Sequence, residues 1–354
     1  MNRTDGTLPA SSGRQMASFV IGFALIAAVS ACSGDAARYL DVRGPLLGQE
    51  PPGDEPALFA PGIVSTLCTD RDLTMTPDCS EIAWAVTLPS RGGTFIVHTF
   101  RVGDRWTRPE TVSFSGDPRY TDAEPHLAPD GMTLWFASDR PLPGAGEEPG
   151  DYNLWYAERT ESGWGQPVNP GAPLNTAEEG EFYPTLTTDG TVYFTRSTMA
   201  IPANHIYRAR RLGDGWAEPE LLPPEVNPGQ AQYNAFVAPD ESYIIVPTAT
   251  LPDAVGGAGA TDYYISFRSA QDEWTGPIHM GEAVNTADGR EWAPYVSPDG
   301  QYFFFMTPRP TIFDTSGDES LTYRDLLTRA LGPRSGDADV WWVSAAFIET
   351  LRPR

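Results

Sequence analysis

The sequence contains no lysine: all 24 basic residues are arginine. It has only three cysteines, Cys32, Cys68 and Cys79, and four scattered histidines, His98, His126, His205 and His279. None of the histidines has the spacing of a zinc site. No Gly-x-Ser-x-Gly elbow occurs, so that serine-hydrolase class leaves no mark. Gly256-Gly257-Ala258-Gly259 lies between predicted strands with no helix behind it and does not read as a phosphate cradle. Positive charge is scarce: the 24 arginines face 47 acidic residues, a formal charge of −23. Such a surface repels phosphate backbones and argues against nucleic acid as a partner. The apolar run near the N-terminus, Met16–Ala31, is too short for a membrane span of about 20 residues.

What is abundant is punctuation and aromatic bulk. The 34 glycines and 34 prolines suit many short strands and turns and argue against a helical bundle. With 40% hydrophobic and 11% aromatic residues, 354 residues can bury a sizeable core.

The N-terminus reads as a secretory signal, residues 1–31: Arg3 and Arg14, the apolar run, then Val29-Ser30-Ala31-Cys32. Val-Ser-Ala-Cys looks like the bacterial lipobox, which implies that Cys32 is lipidated and becomes the mature N-terminus. An ordinary cleaved signal with Cys32 incidental is the alternative. Ser33 after the cysteine implies, by resemblance to enteric lipoproteins, an outer-membrane protein facing the periplasm, with the cell surface as the alternative. Residues 32–55, rich in Gly, Pro and charge, read as a flexible tether. Cys68 and Cys79 flank one predicted strand, whose extended length of roughly 25–35 Å exceeds the reach of a disulfide. Two free, buried thiols are expected.

From residue 56 to 354 one unit recurs five times. Its first mark is an apolar run closed by an aspartate turn, at Asp78, Asp130, Asp189, Asp240 and Asp299, spaced 52, 59, 51 and 59 residues. Its second is Trp-x-x-Pro, at Trp106, Trp164, Trp216 and Trp274, spaced 58, 52 and 58. Each unit reads as four short strands. In the second these are Pro125–Ala128, Thr133–Ala137, Tyr152–Ala157 and Trp164 to about Val168. Four antiparallel strands repeated radially predict a five-bladed β-propeller, all-β, with six blades as the alternative. The aspartates close their own turns. Tyr156, Tyr207, Tyr264 and Trp341 recur in the third strands and read as interblade packing. The fifth unit lacks its Trp-x-x-Pro, while Ala57–Ala60 and Ile63–Val64 precede the first unit without partners. Closure by this N-terminal segment, as the outer strand of the fifth blade, is expected, because an open ring would expose strand edges.

These residues resemble the WD40-like repeats of bacterial envelope proteins, the family that includes the TolB propeller. The resemblance is carried by Gly48–Gly53, Phe59–Val64, the Pro-Asp-Gly turns, Ser138-Asp139-Arg140, Asn175-Thr176, Asn285-Thr286 and Asp339–Ala345. It implies the fold and an envelope location but no activity. TolB's separate N-terminal domain has no counterpart in this chain.

Eight residues before each turn aspartate, at the start of the strand lining the central channel, stand Asp70, Asp122, Glu181, Gln232 and Glu291. They are the candidate ligand-binding ring at one channel mouth, with Asp72 and Glu124 two positions further along. The competing reading is that each acid binds backbone amides of the turn between blades. The long loops 141–150, 248–261 and 308–337, the last with a predicted helix Leu321–Leu331, emerge on the same face.

Three functions compete. The first is a lipid-anchored, monomeric, non-enzymatic module that binds an envelope protein or glycan, touching the membrane through its anchor alone. The second is a glycan hydrolase using channel carboxylates. The third is a divalent-cation site, with calcium suited to carboxylate and amide oxygens.

Overall fold

The computed structural model describes residues 38–354 except 90–91, 143, 145, 147, 199–202, 258, 288–289, 309–321, 325–331 and 335–337. The signal, Cys32 and nearly all of the expected helix Leu321–Leu331 therefore lie outside the described residues. Five small antiparallel sheets form the ring of a β-propeller.

Blade 1 runs outward from the channel through Thr69–Met75, Glu81–Thr87, Thr94–Val102 and Glu110–Thr111. Blade 2 is Asp122–Leu127, Thr133–Ser138, Asn153–Thr160 and Gly163–Trp164. Blade 3 is Gly180–Leu186, Val192–Thr198, Ala203–Ala209 and Glu220–Leu221. Blade 4 has a split inner strand, Ala231–Gln232 and Phe236–Val237, followed by Tyr243–Ala249, Thr261–Phe267 and Ile278–His279. Blade 5 is Trp292–Val296, Tyr302–Thr307 and Asp339–Ser344.

The fifth blade's outer strand is Ala57–Leu58, pairing Ala57 with Trp342 and Leu58 with Trp341. The next residue, Phe59, is fully buried between Phe304 (ring centroids 5.0 Å) and Trp342 (5.2 Å). Closure joins the segment that precedes blade 1 to the third strand of blade 5.

Second strands are apolar on both faces because each is sandwiched between neighbouring blades. Ile82, Trp84, Leu134, Phe136, Val192, Phe194, Ile244, Val246, Phe303 and Phe305 are all buried. The five turn aspartates each accept the backbone N–H two residues on, from Ser80, Met132, Thr191, Ser242 and Gln301. These Asx turns reverse inner strand into second strand.

Two expectations change. Within the span read as a flexible tether, Tyr39–Arg43 docks as an extra strand on Arg105–Thr107 of blade 1. Arg105 lies 4.4 Å over the Tyr39 ring, Leu46 and Leu47 are buried, and Trp106 Nε1 donates to Gly44 O at 2.7 Å. The apolar positions in Tyr39-Leu40-Asp41-Val42 supply the surface that a true tether lacks. Cys68 and Cys79 are free, as expected, but each is half-buried rather than buried, because Cys68 precedes the first strand of blade 1 and Cys79 lies in the turn after it.

Candidate functional site

All five inner strands break register at the same point. The residue there has left-handed backbone: Asp72 (φ 59°), Glu124 (59°), Tyr183 (52°), Asn234 (53°) and Ala293 (50°). None is glycine, so each costs on the order of 1–2 kcal/mol that the ring must offset. A bulge of this kind re-aims a side chain and frees backbone N–H groups from the ladder. The freed donors are taken up by the neighbouring blade. Tyr183 N donates to Glu124 Oε2 (2.8 Å), and Asn234 N donates to Thr195 Oγ1 (3.0 Å).

Two of these residues form a charged floor with Arg71. Arg71 Nε donates to Asp72 Oδ2 at 2.6 Å and Nη2 to Glu124 Oε1 at 2.9 Å, so one guanidinium spans two carboxylates. Glu124 Oε1 also receives Asn234 Nδ2 at 3.5 Å. Its carboxylate thus joins blades 1, 2, 3 and 4. Burial pushes the Glu124 carboxyl up to about 7, with Arg71 opposing and Asp72 adding to the rise. Burial also raises the Asp72 carboxyl, against the pull of Arg71. Asp72 Oδ1 is buried without a hydrogen-bond partner. Above this floor opens a cleft of about 480 Å³, reached by Arg71 and Glu124 and walled by Tyr152, Phe182, Glu178 and Asn204. At the other end of the channel lies an apolar cavity of about 230 Å³ holding Met75, His126, Phe236 and Tyr295. Burial drives His126 down to about 3, so its neutral ring accepts from Leu186 N through Nε2 (3.0 Å).

The five ring candidates do not line this cleft. Asp70, Glu181, Gln232 and Glu291 are fully buried and Asp122 is 2% exposed. Asp70 Oδ2 accepts Thr66 N (2.6 Å) and Oγ1 (2.8 Å). Glu181 accepts Thr176 N, Thr176 Oγ1 and Arg196 Nε. Glu291 Oε1 accepts Thr286 N, Thr286 Oγ1 and Thr307 Oγ1. Asp122 Oδ1 accepts Ser138 Oγ and Arg140 Nη2. In blades 1, 3 and 5 the acid therefore takes up the turn that joins its blade to the one before.

Blade 4 is the informative exception. In blades 2, 3 and 4 the third strand is stapled by an asparagine whose amide meets the backbone of Leu154, Ile206 or Tyr263. The asparagines are Asn175, Asn227 and Asn285. The residue after the asparagine is Thr176, Pro228 or Thr286. Pro228 has no N–H and no hydroxyl, so an acid at the next ring position would find no turn donor. The residue there is the neutral Gln232.

Burial pushes Asp70, Glu181 and Glu291 up to about 7 each. Asp339 adds to the rise at Asp70, and Asp262 adds to it at Glu291. Among the described residues, no group of three or more His, Cys, Asp or Glu is placed to hold a metal ion.

Sequence counting reached Asp72 and Glu124 because they are acidic. It missed Arg71, Tyr183 and Asn234. The signal available was positional: the same offset in five repeats, whatever residue occupies it.

No family model and no curated protein matches the chain. Solved structures share its overall shape loosely. One is a thermostable family-43 glycoside hydrolase, at 14% identity over 79% of this chain and 90% of that chain, TM-score 0.47. Another is the catalytic domain of the Coprinopsis cinerea GH62 α-L-arabinofuranosidase, at 10% identity over 87% and 97%, TM-score 0.45. A third is a putative 6-phosphogluconolactonase from Bacteroides uniformis, at 13% identity over 66% and 63%, TM-score 0.38. Likeness at this level concerns the chain's shape and carries no activity.

Proposed function

We propose that this protein is a lipid-anchored propeller of the bacterial cell envelope that binds glycan in the cleft at the channel mouth. The observation that carries the reading is the convergence of Arg71, Asp72 and Glu124 beneath an open cleft walled by Tyr152 and Phe182. A sugar offers apolar ring faces and many hydroxyls. The aromatic walls suit the former, and the guanidinium and carboxylate suit the latter. The anchor and location rest on Val29–Cys32 and on the likeness to TolB-type repeats.

Hydrolysis is the second reading, and one observation favours it. Burial raises the Glu124 carboxyl where it lines the cleft, and a raised carboxyl is one requirement of an acid catalyst in glycoside cleavage. In that reading Glu124 is the acid.

Isothermal titration of the purified protein with oligosaccharides from envelope glycan tests the site. Binding is expected to weaken about tenfold in Tyr152→Ala, with the melting temperature unchanged. No binding, or binding that Tyr152→Ala leaves intact, refutes the site. Reducing ends that accumulate with time, and vanish in Glu124→Gln, select the hydrolase over the binder.

A further inference from the structure

The outer hairpins place an arginine directly across from the tryptophan of each Trp-x-x-Pro. The pairs are Arg101/Trp106, Arg159/Trp164, Arg211/Trp216 and Arg268/Trp274. The two middle pairs have near-identical stacking, with Arg159 4.1 Å over Trp164 and Arg211 4.4 Å over Trp216. The two middle hairpins each meet the second strand of the blade before, and they do so in two different ways.

At the boundary of blades 1 and 2 the meeting point is filled by a carboxylate. Trp164 Nε1 donates to Glu81 Oε1 (3.0 Å), Arg159 Nη2 donates to Oε2 (2.6 Å), and His98 Nδ1 lies 2.9 Å from Oε1. Glu81 is 1% exposed and held ionised by these partners, its carboxyl drawn below the usual range despite burial.

At the boundary of blades 2 and 3 the carboxylate is missing from the sequence. Glu81 stands three residues after Asp78; three residues after Asp130 stands Thr133, opening its strand as Glu81 opens the one before. Threonine is too short to reach the hairpin. Trp216 Nε1 is buried with no hydrogen-bond partner. Arg211 donates Nε to Gly213 O at 3.2 Å, and its two terminal nitrogens have no partner among the described residues. A cleft of about 450 Å³ opens in place of the buried network. Trp135, stacked on Tyr156 at 5.1 Å and edge-on to Trp216 at 5.6 Å, forms its wall.

We infer that this cleft binds a carboxylate supplied by a ligand, and that the ligand is a uronic-acid sugar. The carboxylate takes the place that Glu81 fills next door, accepting from Trp216 Nε1 and Arg211. The cleft is far larger than a carboxylate group, and its flat aromatic lining suits a pyranose ring. Asp130, Glu158 and Asp189 also line the cleft. Asp130 and Asp189 are engaged with Met132 N and Thr191 N, Glu158 is exposed to solvent that screens it, and the sister boundary holds an ionised Glu81 three residues from Asp78. The site lies at the turn-bearing end of the blades, away from the Arg71–Glu124 cleft, and stands independently of the glycan reading proposed for that cleft.

The test is tryptophan fluorescence and calorimetric titration of the full chain with four probes. These are a glucuronate oligosaccharide, its methyl ester, a glucose oligosaccharide of equal length, and a glutamate-containing peptide. The uronate is expected to bind, with the ester and the glucose chain roughly tenfold weaker or worse. Trp216→Phe keeps the ring, removes the donor, and is expected to weaken uronate binding about tenfold. Thr133→Glu supplies the missing acid internally; it is expected to abolish uronate binding and raise the melting temperature. The inference is overturned by any of four results: no uronate binding at millimolar concentration, equal affinity for acid and ester, full affinity retained in Thr133→Glu, or tighter binding of the peptide than of the sugar.

Discussion

Arg71 of blade 1 reaches into blade 2 to bind Glu124 at 2.9 Å, and Glu124 in turn accepts the Tyr183 amide of blade 3 at 2.8 Å. Both acceptor and donor sit at backbone bulges, so the contact joins strained points of the ring. The channel mouth is therefore held by the same groups that give it chemistry. Variants at Glu124 must be read with a melting curve beside every binding curve.

The buried acids set the pH dependence of stability. Burial raises Asp70, Glu124, Glu181 and Glu291 to about 7 each in the folded chain, against about 4 for a carboxyl in the unfolded chain. Between those limits the folded state binds more protons than the unfolded state, so stability falls as pH rises from about 4.5 through 7. Glu291→Gln should remove part of this loss. Its amide oxygen can keep the Thr286 and Thr307 bonds, and its NH₂ can face Asp262, whose Oδ1 is buried and unpartnered. Melting scans are expected to show Glu291→Gln close to wild type at pH 5 and more stable at pH 8, by on the order of 1–3 kcal/mol. A variant less stable at pH 8 would contradict the assignment.

Glu81 has the opposite sign. Its folded carboxyl is lowered by His98, Arg159 and Trp164 against the pull of burial, so its contribution is present above the unfolded value and lost on acidification. Glu81→Ala leaves Arg159 and Trp164 without their acceptor at a buried interface. Urea unfolding at pH 7 is expected to show a loss of about 3–5 kcal/mol.

Phe59 tests closure of the ring. Phe59→Ala removes a fully buried ring packed on Phe304 and Trp342 and is expected to cost about 3–5 kcal/mol. A chain starting after Ser65 lacks the outer strand of blade 5 and exposes the Asp339–Ser344 edge. It is expected to aggregate, as read by light scattering; a truncated chain as stable and monomeric as the parent would show that closure lies elsewhere.

Cys32 tests the anchor. In cell fractionation, Cys32→Ser is expected to leave the membrane fraction or to accumulate unprocessed. A mutant that stays membrane-bound at its mature size rules out lipidation.

The blade count, the turn aspartates and the closing segment were legible in the sequence because each is a local pattern repeated five times. Asp78, Asp130, Asp189, Asp240 and Asp299 act within two residues of themselves, and Ala57–Phe59 carry the apolar character of a strand with no partner nearby. The docked Tyr39–Arg43 strand was less legible, because its alternation is short and its partner, Arg105–Thr107, lies some sixty residues on.

Sequence by itself determined a repetitive all-β chain, the hydrophobic second strands and the positions of the acids. Only the tertiary structure decided what those acids do. Glu81 and Thr133 differ by a side chain in the sequence, but one fills a boundary and the other leaves a cleft open, because Trp164 and Trp216 arrive from the next blade. Asp70 and Asp72 stand two positions apart in one strand. The left-handed bulge at Asp72 carries it to Arg71 at the channel mouth, while Asp70 closes a turn with Thr66. Register, bulge and neighbouring blade are long-range facts of packing, and they separate a carboxylate that closes a turn from one that pairs with Arg71.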